Sequence, residues 1–368
     1  MGAAATPHPS QSILEIDVGA IVANWRALGA RLAPGAMCAG VVKADAYGLG
    51  AAQVAPALAR AGCTEFFVAQ IEEALTLRPL LPGAATIFVL NGCLPGEEGA
   101  FVAAGLIPVL NDPGQVAHWA DHARRLGKVL PAALHVDTGM SRLGLTRREA
   151  EDLAARAGDI APIDLRLVMS HLARAEESCA MNGAQRERFA ALRAAWPSAR
   201  ASLANSSGIF LGASFHFDLA RPGAALYGIN PVPGYPNPQL AVVRLTAPVL
   251  QIRDSAPPET IGYGATFQAP SAMRVATLAC GYADGWPRSL SNSGSVHHEG
   301  LTLPILGRVS MDTIVVDATM APGLHVGDRV ELLGRAIDVD RVAEAAGTNG
   351  YEVLTRLGRR FSRVYAPA

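Results

Sequence analysis

A lysine closes an otherwise apolar run in Val41-Val-Lys-Ala-Asp-Ala-Tyr-Gly-Leu-Gly50. Burying an ammonium there is costly if its only task is to fill space. One account is a rim lysine whose stem lies along apolar surface while its head meets water. The other is a desolvated amine of lowered pKa, able to attack an aldehyde, and a Schiff base with pyridoxal phosphate is the leading biological use of that property. Two further stretches suit a phosphate. Asn205-Ser-Ser-Gly208 and Arg221-Pro-Gly-Ala224 offer a hydroxyl and backbone N–H groups, the donors that hold phosphates in loops and at helix starts. Either stretch taken alone is also an ordinary turn.

A scaffold must bring these distant turns together, and the rhythm of the chain supplies one. Short apolar runs at 37–43, 65–69, 85–90, 106–110, 132–136, 164–169, 201–204 and 215–221 alternate with segments of helical period. Asp17 stands ahead of a helix that puts Ile21, Trp25, Leu28 and Leu32 on one face. The segments 113–126 and 147–157 each run into a glycine, Gly127 and Gly158, as a helix C-terminus does. Eight strands with intervening helices predict an N-terminal (β/α)8, TIM-like barrel, whose active site gathers at the C-terminal strand ends. Lys43, Asp137, His171, Asn205 and Arg221 all fall at or just past such ends. Asn91 and Asn111 do too, and read as turn or cap residues.

The cadence stops at the proline-rich stretch 231–238, the kind of segment that parts domains. Beyond it, runs at 240–253, 274–280, 303–309, 313–316 and 329–333 are apolar or alternating and are separated by Gly, Pro and Asp. They predict a mainly β domain, a sandwich or barrel. The expected division is a cofactor-binding barrel over 1–235 and a β domain over 236–368.

Half of the 368 residues are apolar, 17% are charged, and the formal charge is -1. Such a chain has no positive field to recruit nucleic acid or anionic membrane, so the expected partner is a small molecule. The five cysteines are scattered without CxxC spacing, which predicts reduced thiols, a cytoplasmic protein and no metal site. Residues 1–12 lack the basic start and apolar core of an export signal, and no apolar run is long enough to span a membrane.

The motifs VVKADAYGLG, HVDTGMSRLG at 135–144, MSHLA at 169–173, ANSSG at 204–208, RPGAALYG at 221–228, GYGATF at 262–267, GYADGWPR at 281–288 and GRVSMD at 307–312 resemble, in content and order, the alanine racemase family of fold-type-III pyridoxal-phosphate enzymes. The resemblance covers nearly the whole chain. It implies a homodimer with shared active sites that interconverts L- and D-alanine and so supplies D-alanine to peptidoglycan precursors. Lys43 would carry the cofactor, with Tyr47, Ser206, Gly223 and Ala224 at its phosphate, Asn205 and His171 beside it, and Arg221 facing the pyridine nitrogen. Racemisation needs bases on both faces of one plane, and the resemblance makes Tyr263 of the partner subunit the second. A free phenol, of pKa about 10, is a poor base at neutral pH, so His171 and Arg221 are expected to favour its ionisation. Arg142, Tyr282, Met311 and Asp312 are expected around the substrate, and Arg288 and Arg308 along the access channel.

Two positions depart from the family pattern. Many members carry a carbamylated lysine where this chain has His135, so Arg142 is expected to be placed by another group, such as an anion or Asp137. Near the C-terminus, Arg359 is expected where relatives supply a phosphate-binding tyrosine. Three alternatives stay open: a broader-specificity racemase, a serine racemase of the same fold, and a non-catalytic pyridoxal-phosphate carrier, which would lack the β domain.

Overall fold

The computed structural model describes residues 8 and 10–366. The expectation for 1–12 and the outer ends of both domain spans thus fall partly outside the described residues.

Seven parallel strands follow one another in chain order around a curled sheet: Gly40–Val41, Glu65–Val68, Thr86–Val89, Ile107–Leu110, Leu130–His135, Ile163–Met169 and Arg200–Ser202. An eighth, Leu219–Ala220, pairs in parallel with Met37–Cys38. Backbone bonds continue the ladder on both sides of it. Asp218 N donates to Ala201 O at 3.0 Å and Arg221 N to Ala204 O at 2.9 Å, while Ala39 N donates to Ala220 O at 3.0 Å. Strands such as Glu65–Val68 and Ile107–Leu110 are buried throughout, because side chains fill the inside of the curl and helices cover the outside. Phe67 and Phe88 stack within it, ring centroids 4.6 Å apart.

The helices begin where their caps predict. Asp17 Oδ1 accepts from Ala20 N at 2.8 Å at the start of Val18–Gly29. Asp112 does the same for Gln115 N at the start of Pro113–Leu126, which ends on left-handed Gly127 at φ +61°. The helix expected over 147–157 stops at Ala155, where a 3-10 turn takes over. Two expected strands are shorter than their apolar runs. The first breaks at Ala39 and ends at Val41, which leaves Lys43 in the turn beyond. The last keeps only Leu219–Ala220, because residues 213–215 wind into a 3-10 turn and Phe217 is left-handed at φ +50°.

The second sheet has eight strands in the order Met273–Leu278, Ile314–Asp317, Leu301–Leu306, Ser295–His298, Arg329–Leu333, Val243–Ser255, Ile13–Asp17, Ser362–Ala366. Val243–Ser255 also pairs with Met273–Leu278, so its 13 residues close part of this sheet on itself. Here the expected division needs correction. Ile13–Asp17 falls within the span expected for the barrel, yet it lies between Val243–Ser255 and Ser362–Ala366, with alternating Leu14 and Ile16 buried. The β-rich part also contributes the helices Val339–Ala346 and Gly350–Arg356, and the second of these rests on the turn after Lys43. A Cβ at Gly48 would stand 2.6 Å from Leu354 O.

Candidate active site

Lys43 opens the turn Lys43–Tyr47, in which Ala44, Asp45, Ala46 and Tyr47 all have left-handed backbone, φ +52° to +55°. For L-residues that conformation costs roughly 1–2 kcal/mol each, so the surroundings must hold it in place. They do so from several sides. Glu73 Oε1 accepts from Ala44 N at 2.5 Å and Asp45 Oδ1 from Ala51 N at 2.7 Å, while Arg363 Nη1 donates to Gly48 O at 2.6 Å. The Tyr47 ring is seated with centroids 4.7 Å from Tyr227 and 6.2 Å from Tyr351. Lys43 projects into a cavity of about 600 Å³. Burial lowers its pKa, the nearby Arg142 lowers it further, and Glu73 partly opposes both. A half-buried amine with a depressed pKa that lines a cavity suits a nucleophile better than a lysine whose head meets open water.

In the lining of the same cavity the two expected phosphate turns meet. Ser206 Oγ accepts from Gly223 N at 3.0 Å and from Ala225 N at 3.1 Å, and Asn205 Oδ1 accepts from Gly208 N at 2.8 Å. The Asn205 oxygen therefore shapes the turn, although Asn205, Ser206, Gly223 and Ala224 all line the cavity. A Cβ at Gly223 would lie 2.3 Å from the Tyr47 hydroxyl, so only glycine lets that phenol reach the cradle. The Tyr47 and Ser206 hydroxyls and the backbone N–H groups around Gly223 and Ala224, two of which Ser206 Oγ already gathers, fit a phosphate.

At the floor stands Arg221, fully enclosed. Burial pulls its pKa down to about 9, still far above neutrality, so the guanidinium stays charged. It donates to Ser202 Oγ and, at 2.6 Å, to Ser170 O, and its Nη2 lies 3.5 Å from His171 Nδ1. Burial first, then repulsion from Arg221, Arg142 and Lys43, holds His171 neutral. A guanidinium can only donate, so His171 Nδ1 is the acceptor and its hydrogen sits on Nε2.

The position that departs from the family pattern has its own solution. His135 is buried and its Nδ1 is 2.8 Å from Asn111 Oδ1, while Asn111 Nδ2 donates to Leu90 O and Val109 O. Donation of both amide hydrogens fixes the Asn111 oxygen as acceptor, and hence a hydrogen on His135 Nδ1. Burial, then Arg221, brings the His135 pKa down to about 4. Asn111 is thus a buried partner of the site and not the turn residue the sequence suggested. Of the two groups offered for placing Arg142, Asp137 makes no ion pair with it among the described residues, and its oxygens accept instead from the N–H groups of Gly139, Met140 and Ser141.

Arg359 is the clearest miss. It is exposed and does not line the cavity. Tyr351 and Thr355 line it instead, one turn apart on Gly350–Arg356, with the Tyr351 hydroxyl 3.4 Å from Glu176 Oε1. The i, i+4 spacing of Tyr351 and Thr355, which puts both on one helix face, is the local signal in the sequence for this wall. Tyr263, Tyr282 and Met311, at 72%, 42% and 52% exposure, do not line this chain's cavity. Neither do exposed Asp312, Arg288 and Arg308. Asp312 is held at 2.7 Å by Arg360, which also grips Asp284.

Comparison with known proteins agrees with this geometry. The family model described as the alanine racemase N-terminal domain matches residues 16–231, and that of the C-terminal domain matches 242–365. An alanine racemase of Acidiphilium cryptum is 53% identical over 358 residues, covering 97% of this chain and 98% of that protein. A catabolic alanine racemase of Mesorhizobium japonicum is 52% identical over 357 residues, 96% and 93% of the two chains. Among solved structures, alanine racemase from Bartonella henselae with covalently bound pyridoxal phosphate superposes with a TM-score of 0.94 at 44% identity, over 97% of this chain and 100% of that one.

Proposed function

The chain belongs to the alanine racemase family, and from that premise we propose how its residues interconvert L- and D-alanine on pyridoxal phosphate. The observation that carries the assignment is one cavity holding a depressed-pKa lysine, a glycine-gated phosphate cradle and a buried arginine. Pyridoxal phosphate fits these groups. When bound it supplies an aldehyde for the Lys43 amine and a conjugated ring that takes up the electron pair left when a proton leaves Cα.

Tyr47, Ser206, Gly223, Ala224 and Tyr351 hold the phosphate in this account. Arg221 would face the pyridine nitrogen and, because it does not give up its proton, would leave that nitrogen unprotonated. The ring's pull on the electron pair is thereby limited, which restrains side reactions. Lys43 moves the proton on one face of Cα. Tyr263 of the partner subunit moves it on the other, with the His171 Nε2–H placed to stabilise the phenolate. Arg142 meets the substrate from within the cavity. Tyr282, Met311 and Asp312 of the same partner surround the substrate, and Arg288 and Arg308 draw carboxylates toward the channel.

This account requires a homodimer. The exposure of Tyr263, Tyr282 and Met311 supports it, with the segments of Tyr282 and Met311 held side by side by Tyr282 N on Ser310 O and Ala283 N on Met311 O. We further take the curled sheet as a closed (β/α)8 barrel, supported by the backbone bonds through Leu219–Ala220, with the domain boundary between the two family matches. Among the described residues no helix is long and apolar enough to cross a membrane. Five free cysteines support a cytoplasmic enzyme, and we place its D-alanine in cell-wall precursor synthesis.

Purified protein given pyridoxal phosphate and L-alanine should develop the visible absorption of the bound cofactor and form D-alanine. Tyr263→Phe should keep the absorption and lose turnover by about a hundredfold or more, the usual scale for a proton-transfer group. Preferential racemisation of serine would redirect the substrate assignment. Full activity of the variant would remove Tyr263 from its role.

A further inference from the structure

Glu73 serves two elements at once. It lies in the first turn of Ile71–Leu77, and its Oε2 accepts from Ala69 N at 2.8 Å and from Gln70 N at 3.1 Å. That oxygen does what a glutamate at this place of a helix commonly does, closing the cap. The other oxygen leaves the helix and accepts from Ala44 N, the first left-handed residue after Lys43. A capping role accounts for the first oxygen only.

We propose that Glu73 is a positioning residue for racemisation: its second oxygen clamps Ala44 N, holds the left-handed turn closed, and so fixes the direction in which the Lys43 amine enters the cofactor cavity. This rests on the assignment of Lys43 as the cofactor lysine. The turn closes its later amides on its own backbone, Ala46 N on Val42 O at 2.9 Å and Gly48 N on Ala44 O at 2.7 Å, whereas the acceptor for its first amide, Ala44 N, is the Glu73 carboxylate. The groups that face it are Lys43 and Asp45 from the turn and Glu72 from its own helix. Asp45 is engaged with Ala51 N, and the exposed Glu72 makes no comparable bond to the turn. As the nearby anion, Glu73 also opposes the burial that lowers the Lys43 pKa.

Glu73→Gln separates the two duties, since glutamine is equally suited to the cap but has one acceptor oxygen and cannot serve both sides. Three quantities are read: the dissociation constant for pyridoxal phosphate, the pH midpoint for acylation of Lys43 in cofactor-free protein by peptide mass analysis, and the urea midpoint. Glu73→Gln should weaken cofactor binding by about tenfold or more, the scale of a lost hydrogen bond to a charged group. It should also lower the Lys43 midpoint, leave the urea midpoint near wild type, and reduce kcat more than it alters KM. Glu72→Gln removes a charge from the same turn without removing a bond, and should match wild type throughout. Thr76→Gly weakens the helix without touching Ala44, and should lower the urea midpoint while sparing Lys43. If Glu73→Gln does not fold, Glu73→Asp, charged but too short to reach Ala44, is read on cofactor affinity and kcat, both of which should fall as for Glu73→Gln. Wild-type cofactor affinity and Lys43 midpoint in Glu73→Gln overturn the proposal. So does an equal loss in Thr76→Gly, which would make Glu73 a cap and nothing more. Failure of the wild type itself to attach the cofactor at Lys43 overturns the underlying assignment along with it.

Discussion

His135 shows how one substitution can be absorbed. The imidazole stays neutral because burial and the Arg221 charge hold its pKa at about 4, and its hydrogen bond to Asn111 is one a neutral ring makes. The linkage follows directly. Between pH 6.5 and 4 the unfolded chain protonates this histidine and the folded chain does not, so its contribution is complete above pH 6.5 and is lost as pH falls toward 4. His171, also held well below its usual value, acts in the same direction. Urea midpoints measured across this range should fall with acidity, and His135→Gln, which cannot titrate, should fall less steeply. The share due to His135 is on the order of 1–3 kcal/mol. Equal slopes in the two proteins would show that His135 titrates normally.

The phosphate cradle is a property of three elements: the turn at Asn205–Gly208, the turn beginning at Gly223, and the helix Gly350–Arg356. Gly223 keeps the first two close enough for Ser206 to bond across the gap and for Tyr47 to reach in. Gly223→Ala should therefore displace the Tyr47 phenol and weaken pyridoxal-phosphate binding by about tenfold or more, on the scale of one lost charge-assisted hydrogen bond. Titration of visible absorbance measures this. The helix makes an equally pointed contrast. Tyr351→Phe should weaken the cofactor while Arg359→Ala leaves its affinity unchanged, and the reverse result would restore the arginine to the place the sequence suggested.

On the scale of the whole molecule, the residues assigned to proton transfer lie on different parts of the surface. Lys43 is in the cavity and Tyr263 is 72% exposed. If each site is completed by a neighbour, Lys43→Ala and Tyr263→Phe proteins are each inactive, yet their heterodimer contains one intact site. Random exchange of subunits in a two-fold dimer makes half the pairs mixed, so the mixture should recover about a quarter of wild-type activity. No recovery after demonstrated exchange would place both groups in one chain or neither in the reaction.

The chain by itself determined the chemistry-bearing turns, the helix caps and the shift from βα rhythm to β-rich sequence at 231–238, because each is a local pattern of side-chain type and spacing. Lys43, Ser206, Gly223 and Arg221 were visible for that reason. Only the tertiary structure decided that Ile13–Asp17 belongs to the distant sheet, that Asn111 holds His135, that Glu73 clamps Ala44, and that Tyr351 and not Arg359 faces the cradle. Those four depend on contacts between segments far apart in sequence. Their side chains carry no local mark of the partner they will meet, since a carboxylate that caps a helix reads the same whether or not its second oxygen finds a neighbour.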